Sequence, residues 1–565
     1  MTASPRFAFR LQTHWTPASG DAPLAYALTL TNVSNAPVSG FRLCVSGPAR
    51  IDPAAVLEGA TLGARLSNHT ELVAPKGFVL APEASWTVTV RGLSYPLKHW
   101  SDGANTAYLA FDDGTTAPVS VAATLAKGQN APLRKGAERY PVPGRAPVSV
   151  SIIPWPAKVT VDGRRPVPAG LDISATDAQG EAAAAAFAEL ADGLFPAEGL
   201  ARGAAEGGLP VGLATVPGLA PEAYRISFHA REVKVEATTR SGLLYGLVTL
   251  GQVLRGARHY PETFLFPTSG EIADEPALAW RGTHLDVARQ FYSSAEVSQF
   301  LKLLAWNKMN RFHWHLSDDE AWRVEIDAFP ELTKVGAWRG HGLPLPPLLG
   351  SGPEPQGGYY TKAAVREIVA TADRFGIAVV PEIDVPGHCY ALQRAIPALR
   401  DPGETGTYYS VQGFPNNCLN PVHETSYSII ETIFDELIEL FPAKLFHIGA
   451  DEVPIGAWSG SPLALDRLRA IGGAAMAEAH AKRSNVLTNT HGADDIEGSG
   501  AAALQAEFLR RIQTYLASRG CVMGGWEEAA HGNVIDKSKT YLVGWRTAEV
   551  SAALAGQGYD MVVSP

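Results

Sequence analysis

Alternation of apolar and polar residues marks the N-terminal part of the chain. In LAYALTLTNV the side chains of Leu24, Tyr26, Leu28 and Leu30 fall on one face of an extended segment, and SWTVTVRG repeats the pattern with Trp86, Val88 and Val90. Clusters of Gly, Pro, Asn and Asp separate such runs, and no long segment of helical period interrupts them. A β-sandwich is predicted for residues 1–128. Its stretch KHWSDGANTAYLAFDDG has the aromatic and polar content of a carbohydrate-binding face, although ordinary strand-and-turn chemistry accounts for it as well. A basic, Pro/Gly-rich segment, 129–147, has the composition of a linker.

The period changes after that segment. EAAAAAFAELADGLF is a strong helix former, YRISFHAREVKVEA reads as a hairpin, and SGLLYGLVTLGQVL reads as an apolar helix, so a small α+β domain is expected over 148–275. From residue 276 strands and helices alternate. The strand RGTHLDVAR leads to SSAEVSQFLKLLAWNKMN, a helix opened by a capping box from Ser293 to Glu296, with Val297, Phe300, Leu301 and Leu304 at helical spacing. RFHWHLSDD is the next strand, and TKAAVREIVATADRFG the next helix, running from the cap Thr361 to Gly376. IAVVPEIDVPGH, SYSIIETIFDELIELF and KLFHIGADEV continue the alternation. After a long insertion come the helix AAALQAEFLRRIQTYLASRG and the strands CVMGGWEEA, TYLVGWR and YDMVVSP. Alternation of this kind implies parallel strands joined by crossover helices, and over 276–565 a (β/α)8 TIM-type barrel. Seven strands are countable before Pro565, so the barrel is expected to lack its eighth strand and to stand open on one side.

Composition narrows the function classes. Hydrophobic residues make up 46% and charged residues 18%, the balance of a globular protein with substantial cores. The net charge of −10 is spread along the chain and offers nucleic acid no basic face. No apolar run approaches the roughly 18 residues that cross a bilayer, and MTASPRFAFRLQTHW lacks the basic-then-apolar order of a signal peptide. A cytoplasmic location is the simpler expectation, with a mature secreted form as the alternative. Cys44, Cys389, Cys418 and Cys521 have no CxxC spacing, which argues against a disulfide framework or zinc knuckle. No cofactor is called for, and the sequence sets no oligomeric state.

In each barrel segment the polar, acidic and aromatic residues follow the apolar run, where a barrel of this type places its chemistry. The set is Arg281, Asp286 and Arg289; His313, His315, Asp318 and Asp319; Asp384 and His388; Asp451 and Glu452; Trp526 and Glu527; and Trp545. Carboxylates, imidazoles, guanidinium groups and indoles together suit a sugar, whose C–H faces stack on rings while its hydroxyls meet charge. One alternative is a metal-dependent barrel hydrolase, with His313 and His315 on one strand face joined by Asp384 or His388. Another is a carbohydrate-binding protein with a degenerate barrel and no turnover.

The ordered set RGTHLDVAR, FHWHLSDDEAWR, VVPEIDVPGH, FHIGADEVP, GWEEA and LVGWR resembles glycoside hydrolase family 20, the β-N-acetylhexosaminidases that remove terminal N-acetylglucosamine or N-acetylgalactosamine. The resemblance implies an amino-sugar glycan substrate and retaining hydrolysis in which the substrate's own 2-acetamido oxygen attacks C1 and forms an oxazolinium ring. It assigns the general acid to Glu452, the grip on the acetamido group to Asp451, and a supporting relay to Asp318 and His388, with Asp384 nearby among the substrate-binding residues. It gives Arg281 the sugar's 3- and 4-hydroxyls, and makes Trp526 and Trp545 walls of the acetamido pocket. The acid Glu452 is expected to hold its proton near neutral pH, raised by burial and by Asp451. Two departures stand out. Ala450 occupies a place where the family usually has glycine, and a catalytic tyrosine, a further tryptophan and an acidic hydroxyl ligand, which the family carries beyond the seventh strand, find no match in these residues.

Overall fold

A computed structural model describes residues 7–19, 24–126, 148–203, 206–483, 496 and 498–564; the expected linker at 129–147 lies outside them. The N-terminal region is built on a ten-stranded sheet, with a two-stranded one, Val38–Ser39 against Val79–Leu80, beside it. Its strand Phe9–Thr16 pairs antiparallel with Ala25–Asn32 along the full length, from Phe9↔Asn32 to Thr16↔Ala25. Between Ser85–Leu93 and Phe41–Ser46 lie, in order, Ala25–Asn32, Phe9–Thr16, Thr116–Val121 and Thr106–Phe111. A flat sheet would hold those outer strands about 24 Å apart. The rings of Phe41 and Trp86 nevertheless meet at 5.7 Å. The sheet has folded over on itself, which is how it makes a sandwich, and it encloses Leu11, Leu28, Leu30, Leu43, Leu72 and Val88. In the KHWSDGANTAYLAFDDG stretch, His99 and Asp102 cap a 3-10 turn, and the buried Tyr108 sets its hydroxyl 3.1 Å from His341 Nδ1 of the barrel region. That tyrosine therefore serves a contact between regions.

A six-stranded mixed sheet follows, carrying the helices Ala178–Leu194 and Arg240–His259. The poly-alanine run is helical as expected, capped by Asp177, whose side chain accepts from Gly180 N. The hairpin is also present, Tyr224–Phe228 against Val233–Ala237. The second helix is buried on most of its circumference because it lies between this sheet and the barrel. At Gly251 a Cβ would come 3.1 Å from both Phe187 and Trp306, so the glycine lets the helices approach closely. One continuous core joins the two regions, from Val150 to Tyr559.

The C-terminal sheet has seven parallel strands in chain order: Gly282–Asp286, Arg311–His315, Ala378–Glu382, Leu445–His447, Val522–Trp526, Thr540–Gly544 and Asp560–Val563. It curls strongly, for Trp280 beside the first strand meets Tyr541 of the sixth at 5.0 Å, and His284 meets Trp526 at 5.8 Å. Among the described residues no strand covers the outer edges of the first and seventh strands, so this is a half-barrel rather than a closed one. The capping box is in place, with Ser293 and Glu296 bonded reciprocally at the start of helix Ser294–Trp306. One helix is new. Pro462–Ala481 lies in the long insertion, and its sequence AIGGAAMAEA hides it, because alanine and glycine supply no apolar stripe and Gly473 (φ +80°) breaks its geometry.

Candidate active site

Strand register brings the chemistry to one level. Asp286 pairs with His315, His315 with Glu382, and Glu382 with His447, across four successive strands. Glu382 is completely buried and serves as a hub. His313 Nε2 and His315 Nδ1 each lie 2.7 Å from its Oε2, His447 Nδ1 lies 3.0 Å from its Oε1, and Trp526 Nε1 donates to the same Oε1 at 3.0 Å. The indole of Trp526 is thus fixed from the barrel floor. From the hub the chain of contacts runs outward: His315 Nε2 to Asp318 Oδ2 at 2.9 Å, and Asp318 Oδ1 to His388 Nδ1 at 3.1 Å. His388 Nε2 then faces both adjacent acids, 3.5 Å from Asp451 Oδ2 and 3.5 Å from Glu452 Oε2. Arg289 clamps the other side of Asp318 at 2.6 Å, and also meets Glu320 at 2.9 Å and Asp286 at 3.1 Å.

The backbone that presents the acid pair is left-handed at several points. Gly449 has φ +64°, and a Cβ there would sit 1.9 Å from Asp384 Oδ1, so only glycine lets that carboxyl reach the chain. Ala450 (φ +71°) and Glu452 (φ +49°) also occupy this region, and so does His388 (φ +50°). Non-glycine residues pay roughly 1–2 kcal/mol each for such a conformation, and three of them cluster where the side chains converge. Ala450 keeps the turn that glycine would make, its N–H pointing to Asp384 at 3.3 Å and its carbonyl accepting from Gln505 Nε2 at 2.8 Å.

Asp318, Asp384, Asp451, Glu452, Trp526 and Trp545 line one pocket of about 350 Å³, together with His284, Arg289, His315 and Gln412. His388 stands directly behind the acid pair. Trp545 is 41% exposed and is oriented by its Nε1–H, which donates to Glu528 Oε2 at 3.1 Å. Arg281 is elsewhere, which corrects the expectation for it. It precedes the first strand, at the opposite end of the sheet from the pocket, and makes a two-pronged pair with Glu222 of the α+β region at 3.0 Å on each prong, with further bonds to the carbonyls of Lys308 and Leu278. The observed strand Gly282–Asp286 separates the two arginines of RGTHLDVAR: Arg289 lies after it, where the chemistry gathers, and Arg281 before it.

Protons are distributed unevenly. Burial pushes the Asp384 carboxyl well above its usual range, and neighbouring Asp451 adds to the push. Asp451 is raised too, by burial first and then by Glu452, against the opposing charge of His388. Burial also acts to raise Glu452, but the hydrogen bond and charge of His388, with help from Arg289, outweigh it and hold Glu452 below its usual value. The expectation of a raised Glu452 is therefore reversed in this structure: of the adjacent acids, Asp451 is the one shifted upward. Asp318 lies well below the carboxylate range because Arg289 and His388 overcome its burial. His388 is raised well above an ordinary histidine by Asp318, Asp384 and Asp451, again against burial.

The metal-dependent alternative needed His313 and His315 to converge with Asp384 or His388. Four sets at the site, His315–Asp318–Asp384, His284–His313–Glu382, Asp318–Asp319–His388 and Asp384–His388–Asp451, do bring ligand atoms within 4.8 Å of one another. Among the described residues no set this close combines His313 with Asp384 or His388, because His313 turns to Glu382 instead. Sequence reasoning missed Glu382, Glu320 and Gln412. Glu382 sits inside an apolar run, where a single polar residue gives no signal of its four partners, and Gln412 lies in a loop without a motif.

The catalytic-domain model of glycosyl hydrolase family 20 matches residues 278–565, and the family's domain 2 model matches 149–275. The beta-hexosaminidase of Vibrio furnissii is 32% identical over 487 residues, covering 84% of this chain and 72% of that protein. The beta-hexosaminidase of Porphyromonas gingivalis is 31% identical over 359 residues, 63% of this chain and 41% of that protein, so the chain spans under half the length of that relative. Among solved structures, the family 20 exo beta-N-acetylglucosaminidase of Vibrio harveyi in complex with N-acetylglucosamine is similar over 99% of this chain and 82% of its own, with a TM-score of 0.82 and 30% identity. The beta-N-acetylhexosaminidase of Streptomyces coelicolor is similar over 73% of this chain and 74% of its own, with a TM-score of 0.53 and 27% identity.

Proposed function

Because this chain belongs to glycosyl hydrolase family 20, we propose that it is an exo-acting, retaining β-N-acetylhexosaminidase whose chemistry runs through Asp451 and Glu452. The observation that carries this reading is the convergence of both acids on one imidazole nitrogen at 3.5 Å, in a pocket also lined by Trp526 and Trp545. A terminal amino sugar enters with its acetamido group between the indoles. Its carbonyl oxygen attacks C1 while Glu452 gives a proton to the glycosidic oxygen and the C1–O bond breaks. Asp451 accepts the amide N–H and balances the positive charge of the oxazolinium ring. Glu452, now a carboxylate, takes a proton from the water that attacks C1, and two inversions restore the configuration. The nucleophile travels with the substrate, so the enzyme supplies one acid and one charge-balancing partner, and two adjacent carboxylates suffice.

Proton placement follows from the geometry. Sugar packed against Glu452 removes water from its carboxyl and favours the protonated form, while positive charge developing at the ring favours ionised Asp451. The two acids and His388 titrate as a unit, and the proton moves between the neighbours as the reaction requires. Asp318 and His388 position that unit: Asp318 is anchored by Arg289 and His315 and fixes the His388 ring. The hydroxyl-gripping role expected of Arg281 falls to Arg289, the arginine that lines the pocket. The test is cleavage of an aryl 2-acetamido-2-deoxy-β-glucoside beside the plain aryl β-glucoside, with Glu452→Gln. The first alone should be cleaved, and the variant should be slower by about 10²–10⁴. Equal cleavage of both sugars defeats the acetamido mechanism, and binding without cleavage by the folded chain supports the carbohydrate-binding alternative.

A further inference from the structure

One wall of the pocket is held from outside the barrel. Gln412 lines the pocket together with Glu452, and its side-chain oxygen is buried with no hydrogen-bond partner. It belongs to a barrel loop, 406–416, between the third strand and helix Glu424–Ile438. The carbonyls on either side of it are bound by the N-terminal sheet region: Arg50 Nη1 donates to Val411 O at 2.7 Å, and Ser67 N donates to Gly413 O at 3.3 Å. Arg50 is itself fixed in that sheet by reciprocal bonds with Ser94, from Ser94 N to Arg50 O at 2.9 Å and from Arg50 N to Ser94 Oγ at 3.0 Å. Beneath the loop, Phe414 is buried with Leu345, Leu348 and Tyr390, and Leu66 of the sheet packs on the same cluster. Further along the junction Leu349 N donates to Asn68 Oδ1 at 3.2 Å, and Thr106 Oγ1 donates to Gly350 O at 2.6 Å.

We propose that the N-terminal sheet region is part of the active site: Arg50 and Ser67 fix the loop so that the Gln412 amide meets the sugar on the leaving-group side of Glu452. Gln412 lines the same pocket as Glu452, which puts the bolted loop beside the acid, where the glycosidic oxygen and the departing sugar lie. A primary amide donates and accepts, as a ring hydroxyl or a second acetamido group requires. Arg50 is a positioning residue that acts through Gln412. The claim rests on the hydrolase reading above for the identity of the ligand, but not for the attachment of the loop.

Arg50→Met and Gln412→Ala test it, each assayed on the β-linked disaccharide of N-acetylglucosamine and on the aryl glycoside, whose phenol has no hydroxyls to grip. Both variants should lower kcat/KM for the disaccharide by roughly three- to tenfold, the worth of one hydrogen bond, and leave the aryl glycoside nearly unchanged. The double variant should be no worse than either alone, and Arg50→Lys should recover part of the loss. Hydrogen exchange, measured without substrate, should show the amides of 408–416 exchanging faster in Arg50→Met than in wild type. Unchanged exchange in that loop overturns the attachment, and equal losses on both substrates in Gln412→Ala overturn the leaving-group assignment. If the wild-type chain cleaves neither substrate, the sugar contact falls with the hydrolase reading, while the exchange result still decides the attachment.

Discussion

Arg281 and Arg289 flank the first barrel strand, one at its foot and one at its head, and both pair with carboxylates. At the foot the account balances. Arg281 meets one acid, Glu222, with two parallel bonds, and burial, which would raise that acid, is outweighed by the guanidinium, so Glu222 lies below its usual value. At the head one guanidinium faces Asp286, Asp318 and Glu320. Asp318 is held well below the usual carboxylate range by Arg289 and His388, and Glu320 is pushed up to about 8 by burial and by Asp318 and Asp319, in spite of Arg289. A balanced pair fixes one region to another. An excess of acids around one cation stores protons, and that is what a site for acid–base chemistry needs.

Substitution separates the two ends. Arg289→Met should lower kcat/KM on the aryl 2-acetamido glycoside by about 100-fold or more, because it removes the pocket's guanidinium and releases Asp318 and with it His388. Arg281→Met should instead cost stability, about 2–4 kcal/mol in denaturant unfolding, by leaving Glu222 partly buried and unpaired, with turnover per folded molecule unchanged. Reversal of these two outcomes would break the comparison. The smallest effect is a pH slope. The Glu320 pKa is raised from the unfolded value near 4.3 to about 8, so its contribution to stability is complete below the unfolded value and is lost as pH rises through about 8. Glu320→Gln should therefore flatten the fall in Tm between pH 5 and pH 8.5, whereas Glu222→Gln, which removes an acid of lowered pKa, should lose its stabilisation at neutral pH and not at pH 3.

Much of this was legible in the chain because local rules and tertiary structure agree. The capping box at Ser293, the hairpin around residues 224–237 and the seven alternating strands each follow from residues close in sequence. The acid pair was legible because it ends a strand. RGTHLDVAR carries two arginines, and only the strand boundary within it tells Arg281 at the foot from Arg289 at the head. Other features depend on distant partners that carry no pattern. Glu382 reads as one polar residue in an apolar run until strand register gathers three imidazoles on it. The low Glu452 is set by His388 from another strand end, and Gln412 is held by an arginine far upstream.

The central claim is that the substrate's acetamido oxygen is the nucleophile and that the two adjacent acids serve it. Aryl 2-acylamido-2-deoxy-β-glucosides bearing acetyl, monofluoroacetyl, difluoroacetyl and trifluoroacetyl groups test it most directly, since each fluorine withdraws electrons from that oxygen with little change in size. The value of kcat/KM should fall steeply and steadily along the series. A flat series would contradict it, and would require a nucleophile supplied by the protein.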